Sequence, residues 1–256
     1  MKFFGEHVFI TGGSGGMGSM VALKFLEEGA VVTITSKIED DAIKATNKIS
    51  DRLAESGQRN NIKYLKHVIG DLSKPEELAI MFETARNKTG SINILVNCVG
   101  ITSPAKFEDI SVEEWNRVLA TNLTSYFLAS QQVASDMKKD RKGKIIYVAS
   151  IAARRFSKLC GIHYSCSKAA ILALTRQLAT ELGPYNINVN CICPSQTYTN
   201  MLQPFLTEGQ EEIICKRIPL GYIASPEQQA NVILFLASEE ANYVNGAILD
   251  VTGGQL

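Results

Sequence analysis

The sequence predicts an α/β fold, a doubly wound parallel sheet with helices on both faces. Three observations carry that prediction. Short apolar runs that read as strands alternate with longer amphipathic stretches that read as helices, from one end of the chain to the other. Gly12-Gly13-Ser14-Gly15-Gly16-Met17-Gly18 sits between the first strand and the first helix. Most of the strands close on a polar residue or a proline, namely Thr11, Ser36, Asp71, Asn97, Ser150 and Pro194, where ligands bind in open α/β sheets.

In chain order, His7–Thr11 reads as a buried strand running into the glycine segment, and Ser19–Glu28 as the helix after it. Val31–Thr35 is a second strand. Asp40–Ser56 is a polar helix, and Ile62–Ile69 a third strand ending at Asp71-Leu72. Ser73-Lys74-Pro75-Glu76 has the pattern of a capping box opening the next helix. Ile92–Val96 is a fourth strand, closing on Asn97-Cys98-Val99-Gly100. Ser111 to Glu114 repeats the capping-box pattern, and its helix runs to about Met137. Lys144–Ala149 is a fifth strand ending at Ser150, and Tyr164–Leu182 a long helix closed by Gly183-Pro184. Asn188–Cys193 is a sixth strand. Ser225-Pro226 starts a last helix, and Ile248–Val251 is a seventh strand. No linker, repeat or low-complexity segment interrupts the 256 residues, so one domain spans 1–256.

The composition excludes several function classes. Basic and acidic residues balance at 26 each, which argues against nucleic acid and anionic membrane surfaces as partners. The N-terminus lacks the apolar core of a signal peptide, and the longest apolar runs are far short of a membrane span, so a cytoplasmic protein is expected. The six cysteines have no metal-site spacing; they read as buried reduced thiols, with Cys191 and Cys193 on one face of a strand. No metal is expected.

The glycines let the backbone turn tightly beside a pyrophosphate, and the helix start offers N–H groups to it, so a dinucleotide is expected here. The glycines alone satisfy three different fingerprints and do not choose an enzyme class. A site for NAD usually places a carboxylate about 20 residues on, to hold the ribose 2′-hydroxyl. Ser36 and Lys37 stand there instead, which favours NADP(H) and leaves NAD(H) possible, although Glu39, Asp40 and Asp41 follow closely. Tyr164 and Lys168 lie one helical turn apart, and an ammonium beside a phenol favours the phenolate. Alone the pair is a weak signal, since a tyrosine packed on a lysine stem has the same spacing.

Taken together, these stretches resemble the short-chain dehydrogenase/reductase family, in its short single-domain branch similar to 3-oxoacyl-[acyl-carrier-protein] reductases. The matching segments are Thr11–Gly18, Asp71-Leu72, Asn97–Gly100, Asn122, Ser150, Tyr164–Lys168, Pro194–Thr199 and Gly246–Gly254. The resemblance implies a Rossmann-type domain of seven parallel strands, carbonyl/alcohol oxidoreduction with NAD(P), and a homotetramer or homodimer. It implies Tyr164 as general acid and Lys168 as the residue that lowers its pKa and bonds the nicotinamide ribose. Ser150 would hold the substrate oxygen, and Asn122 a water relaying protons to Lys168. Gly12, Ser14, Gly16, Met17 and Gly18 would turn around the phosphates, with Ser36 and Lys37 at the ribose. Asp71 and Leu72 would meet the adenine, Asn97 would fix the strand end, Thr199 would bind the nicotinamide carboxamide or the diphosphate, and Gly100, Pro194 and Thr197 would also contact the cofactor. The chain departs from the family pattern at Cys98-Val99, at Ser195 where glycine is usual, at Thr197, and at Thr252 where aspartate is usual. Gly-to-Ser restricts the backbone beside the nicotinamide.

A ketone reductase is therefore the expected function. The alternatives are a nucleotide-sugar epimerase or dehydratase, which shares the Tyr-x-x-x-Lys pair, and a non-catalytic NAD(P)-binding protein. The short C-terminal region leaves no room for the separate nucleotide-sugar domain of the first. The substrate lining is expected from residues 151–163 and 195–218, where Arg154, Arg155 and Lys158 are solvated or meet an acidic substrate. Cys160 and His163 read as packing residues. Ala169–Leu174 is apolar all the way round its helix, and Val118–Ala134 nearly so. Contact between subunits explains this, or a second helix layer within the chain.

Overall fold

A computed structural model describes residues 1–157 and 159–255. Seven parallel strands form one sheet in the order β3-β2-β1-β4-β5-β6-β7. They are β1 (His7–Thr11), β2 (Val31–Ser36), β3 (Leu65–Ile69), β4 (Ile94–Asn97), β5 (Gly143–Val148), β6 (Ile187–Pro194) and β7 (Ile248–Val251). The order reverses direction between β1 and β4, which opens a crevice beyond their carboxyl ends.

Period-two alternation divides the strand side chains between two cores. Val8, Ile10, Ile94, Val96, Ile146, Val148 and Ile192 point to one face. There they meet α1 (Gly16–Glu27), α2 (Glu39–Glu55) and α8 (Pro226–Ala237). Phe9, Leu95, Ile145, Tyr147, Cys191 and Cys193 point to the other. There they meet α3 (Pro75–Thr89), α5 (Ser125–Asp140) and α6 (Ile162–Leu182). Cys191 and Cys193 share a buried face, as the alternation predicts. Cys166 is exposed, so burial does not extend to all six thiols.

Several local expectations change. Residues 62–64 belong to a 3₁₀ turn, Arg59–Tyr64, and not to β3, because the Asn61 side chain donates to the Leu26 carbonyl and to Gln58. The capping box at Ser73 does not form. The Ser73 hydroxyl donates to Asp71 Oδ1 at 2.7 Å, and Lys74 caps the helix through its backbone alone. Ser111 does cap α4 (Val112–Leu119) by accepting from the Glu114 N–H, but the Glu114 carboxylate turns to Arg117 instead of closing the box. A complete box forms at Ser225 and Gln228. The helix after Ser111 is continuous to Asp140, but one π turn, Ala120–Thr124, interrupts it. A short helix absent from the sequence reading, α7 (Gln210–Cys215), packs with Leu202, Ile218 and Ile223 in a small separate apolar cluster. No helix among the described residues is long and apolar enough to cross a membrane.

The apolar helix faces are not covered within the chain. Phe127 on α5 is 43% exposed, and Ala169 and Ala173 on α6 face solvent, so no second helix layer lies over them.

His7 is buried at the amino end of β1, the end away from the crevice. Its ring nitrogens lie 2.9 Å from Thr33 Oγ1 and 3.2 Å from the Gly90 carbonyl. Burial lowers its pKa below 6.5, outweighing the carbonyl that favours the charged form. The unfolded chain then binds the proton more readily than the folded one. The stability is complete above pH 6.5 and falls as the pH drops below it. Urea titrations from pH 7.5 to 5 will show that loss, and His7→Gln will show a shallower one; identical slopes would remove the assignment.

Candidate active site

A cleft of about 630 Å³ opens beyond the carboxyl ends of the strands, centred on the β1–β4 reversal. Its first wall is the glycine turn. Gly12 has φ +67°, a conformation that side chains avoid, and a Cβ there would lie 2.8 Å from the Val99 backbone. A Cβ on Gly18 would lie 2.4 Å from the Gly12 carbonyl. Gly16 leaves room for the Thr199 side chain, which a Cβ would approach to 3.2 Å. The Gly12 N–H donates to Thr35 Oγ1 at 2.9 Å, tying the turn to β2. α1 begins at Gly16, inside the glycine segment, three residues earlier than its apolar pattern suggests, so its first N–H groups border the cleft. This cradle of bare backbone at a helix start fits a pyrophosphate.

At the far end of that wall, Lys37 Nζ lies 2.7 Å from Asp71 Oδ2. Burial works against the Asp71 carboxylate, but hydrogen bonds from Lys37 and Ser73 outweigh it and hold the pKa at about 2. The two residues expected to contact adenosine thus contact each other. The Ser36 hydroxyl accepts from Ser14 and donates to the Ile38 carbonyl. Asp41 also lines this end.

The floor of the cleft joins β5, α5 and α6. Ser150 stands two residues past β5, and its hydroxyl accepts from the Ala152 N–H at 3.1 Å. The Tyr164 phenol, on α6, lines the same floor, near enough for the Ser150 hydroxyl to favour its charged form. Lys168 lies one turn further along α6, 2% exposed. Its Nζ donates to the Val148 carbonyl at 2.9 Å and to Tyr126 Oη at 3.1 Å. The Tyr126 hydroxyl in turn reaches the Val99 and Val148 carbonyls at 2.8 and 3.0 Å, its one proton serving either.

Burial pushes the Tyr164 phenol up to about 12, against a smaller pull from Ser150, and pushes the Lys168 ammonium down to about 8. The expected lowering of the phenol by Lys168 is not present. Its Nζ is 5.9 Å from the Tyr164 ring centre and is directed at Val148 and Tyr126. Desolvation therefore outweighs the charge.

Every other predicted site residue lines the cleft except Asn97 and Asn122. Asn97 is fully buried behind the wall, where its Oδ1 accepts from the Thr11 hydroxyl at 3.0 Å and ties β4 to β1. Asn122 sits in the π turn. Its side chain accepts from the Ile101 N–H and donates to the Ile101 carbonyl, both at 2.9 Å, and to Ser167 Oγ at 3.2 Å. It therefore clamps the segment after β4, and its side chain is fully engaged. Tyr126 is the residue the sequence reading missed. Nothing in the sequence sets it apart from the neighbouring hydroxyls of Thr124, Ser125 and Ser130.

The departures from pattern are accommodated. Ser195 does not have a positive φ, and its hydroxyl donates to the Thr252 carbonyl at 3.3 Å. Burial pushes the Cys98 thiol up to about 12, so it stays protonated beside Lys168. Arg154 is exposed, as a solvated residue would be, pairs with Asp250 at 3.0 Å and does not line the cleft. Arg155 also has a partner, and Lys158 lies outside the described residues. Among the described residues no cluster of side chains could hold a metal ion.

A family profile described as enoyl-(acyl carrier protein) reductase matches residues 12–255. The chain belongs to the short-chain dehydrogenase/reductase family. As a member it is an NAD(P)-dependent oxidoreductase acting on CH–OH or C=O groups. It is 33% identical over 255 residues to the 3-oxoacyl-[acyl-carrier-protein] reductase FabG of Aquifex aeolicus, covering 99% of this chain and 98% of that one. It is 33% identical over 244 residues to a 3alpha-hydroxysteroid dehydrogenase of Mediterraneibacter gnavus, covering 95% and 94%. The crystal structure of 3-oxoacyl-[acyl-carrier protein] reductase from Brucella melitensis superposes with a TM-score of 0.87 at 28% identity, covering 99% of this chain and 92% of that one.

Lys168 gives this site a stability signature. An ammonium buried without a carboxylate partner destabilises the fold, fully below pH 8 and progressively less as the pH rises toward 10.5. Without cofactor, Lys168→Met will raise the Tm at pH 7 by several degrees, roughly the effect of 1–2 kcal/mol. The gain will shrink above pH 8. A lower Tm at every pH would contradict the account.

Proposed function

We propose that the protein is an NADP(H)-dependent reductase of ketones, of 3-oxoacyl or other small carbonyl type, within a single domain holding both cofactor and substrate. The neighbouring hydroxyls of Ser150 and Tyr164, which both line the floor of the cleft, carry this reading. Two O–H groups at one point suit a single carbonyl oxygen, which gains charge as the carbon is reduced.

The cofactor would lie along the wall from Lys37 to Thr199. Gly12, Ser14, Gly16, Met17 and Gly18 would hold its pyrophosphate; Asp71 and Leu72 its adenosine; and Gly100, Pro194, Thr197, Thr199 and Lys168 its nicotinamide end. When bound, it supplies the hydride. The chain's own residues do the rest. Ser150 orients the carbonyl oxygen, and Tyr164 gives it a proton. A phenol with a raised pKa is a competent donor to an alkoxide, which is far more basic. Lys168, its ammonium held by Val148 and Tyr126 rather than by the Tyr164 phenol, would hold the nicotinamide ribose. A water feeding Lys168 would rest on the Asn122 main chain, since the Asn122 side chain is occupied.

For the choice of cofactor, the end of β2 carries no carboxylate at positions 36 and 37, and Lys37 is 71% exposed. A 2′-phosphate would compete with Asp71 for the Lys37 ammonium, and a phosphate dianion accepts more strongly than a single carboxylate. The uncovered apolar faces of α5 and α6, including Phe127, Ala169 and Ala173, support pairing of two copies into a homodimer or homotetramer.

Turnover of NADPH and NADH over chemically diverse ketones tests the reading directly. Tyr164→Phe will cut the reduction rate by roughly 10²–10⁴-fold while leaving cofactor affinity intact. Oxidation of neither cofactor with any ketone would end the proposal. Lys37→Ala will weaken NADPH by about tenfold and leave NADH nearly unchanged. An equal loss for both would remove the NADP(H) assignment.

A further inference from the structure

Two buried polar atoms in the cleft have no hydrogen-bond partner within the protein. They are Gln196 Oε1 and Thr102 Oγ1, and both residues line the cleft. Their places in the sheet are informative. Thr102 follows the end of β4, Ser150 the end of β5 and Gln196 the end of β6, and these three strands are neighbours in that order. The unpartnered atoms therefore come from the strand ends on either side of the one that carries Ser150. Neither atom belongs to the set that engages Tyr164 or Lys168. A buried polar atom without a partner destabilises the protein, because its lost hydration is not replaced. A ligand group that pairs with it recovers that cost and gains selectivity over an analogue lacking the group.

The rest of this end of the cleft restricts what that ligand is. Leu159, Met201, Leu202 and Phe205 form apolar walls. Leu202 is anchored from behind by Ile214, Ile218 and Ile223. Among the described residues at this end, the charged side chain besides Lys168 is Arg117. Both oxygens of Glu114 neutralise it, at 2.7 and 2.8 Å. Among the described residues that line this end, an anionic substrate would find no free cation, and the walls suit an apolar skeleton.

We infer that Gln196 and Thr102 are specificity-determining residues for a neutral, largely apolar ketone that carries a second polar group, a hydroxyl or an amide N–H, besides the reacting carbonyl. An amide oxygen such as Gln196 Oε1 accepts only, so the ligand must donate to it. The Thr102 hydroxyl then accepts from or donates to the same group or its neighbour. The inference rests on the ketone-reductase reading above for the position of the reacting carbonyl, but its test reads binding rather than turnover.

Protein saturated with NADP⁺ or NAD⁺, whichever binds, is titrated calorimetrically with two matched pairs of probes. One pair is a hydroxydecalone and decalone. The other is the acetoacetyl thioester of N-acetylcysteamine, which has an amide N–H, and that of pentanethiol, which has none. In at least one pair the donor-bearing probe will bind about tenfold more tightly, and Gln196→Leu will bring that ratio to about one. Thr102→Val will reduce it at least threefold, by the same loss of a partner. A preference confined to the decalones assigns a hydroxyl, and one confined to the thioesters an amide. Should Gln196→Leu fail to fold, Thr102→Val, on a different strand end, carries the test.

Equal affinities within both pairs, binding by neither pair, or a ratio that survives both substitutions would each overturn the inference. So would a loss of dinucleotide affinity in Gln196→Leu with the ratio unchanged, since Gln196 would then serve the nicotinamide. Discrimination in binding without reduction of any ketone would sink the reductase reading and leave the two residues as ligand-selecting.

Discussion

An ammonium buried without a carboxylate is the constraint around which this site is built. Lys168 is held by one main-chain carbonyl and one phenol, those of Val148 and Tyr126. Both partners are themselves fixed by the fold. Val148 is the last residue of β5, and its carbonyl accepts from both Lys168 and Tyr126. Tyr126 is fully buried on α5, and its hydroxyl spans the ends of β4 and β5 through Val99 and Val148. A shift of either strand end would leave the charge unsatisfied in a medium that penalises it heavily. The ammonium thus reports the register of three elements at once. Tyr164 and Ser150 inherit that register, one turn along α6 and two residues past β5.

The glycine wall obeys a different constraint, steric rather than electrostatic. Gly18 exists because the Gly12 carbonyl passes where a side chain would be, and Gly16 because Thr199 does. Thr199 belongs to the segment after β6, so the wall that suits the pyrophosphate and the segment that borders the nicotinamide end touch across the cleft. Their spacing is set by the sheet, because β1 and β6 are separated by β4 and β5. A cofactor spanning that distance is measured by the strands, not by loops that can relax.

Much of this was legible in the sequence, for physical reasons. Strands such as His7–Thr11 are continuous apolar runs because a parallel sheet buries both faces, and polar residues just beyond them mark the crevice. That is why Ser150, Asp71 and Thr199 could be placed at the crevice, which all three line. Elements governed by side-chain competition were not. Ser73 has the pattern of a cap, yet Asp71 takes its hydroxyl. Ile62 looks like strand, yet Asn61 pins the segment as a 3₁₀ turn through Leu26. Helix α7 is only one and a half turns long, too short for a periodic signal. At the site, spacing placed Tyr164 and Lys168 on one helix, and both line the cleft. It gave the wrong sign for the phenol, because burial depth and the direction of Nζ are three-dimensional quantities. Tyr126, Thr102 and Gln196 carry no local motif at all.

The division between these two kinds of residue bears on how one fold can serve many substrates. The groups proposed to move protons are fixed by strand ends and by helix turns packed on the sheet, and altering them disturbs the core. Gln196, two residues past β6, and Thr102, five past β4, take no part in holding Lys168. Gln196 lies in the stretch that meets α7 and its small apolar cluster. That cluster rests on Leu202, Ile214, Ile218 and Ile223 and is separate from both main cores. Its contents can change without cost to the sheet, whereas a substitution at Tyr126 or Val148 would be felt by Lys168. Selectivity is therefore free to vary where the chemistry is not, and the unpartnered atoms lie on the variable side of that boundary.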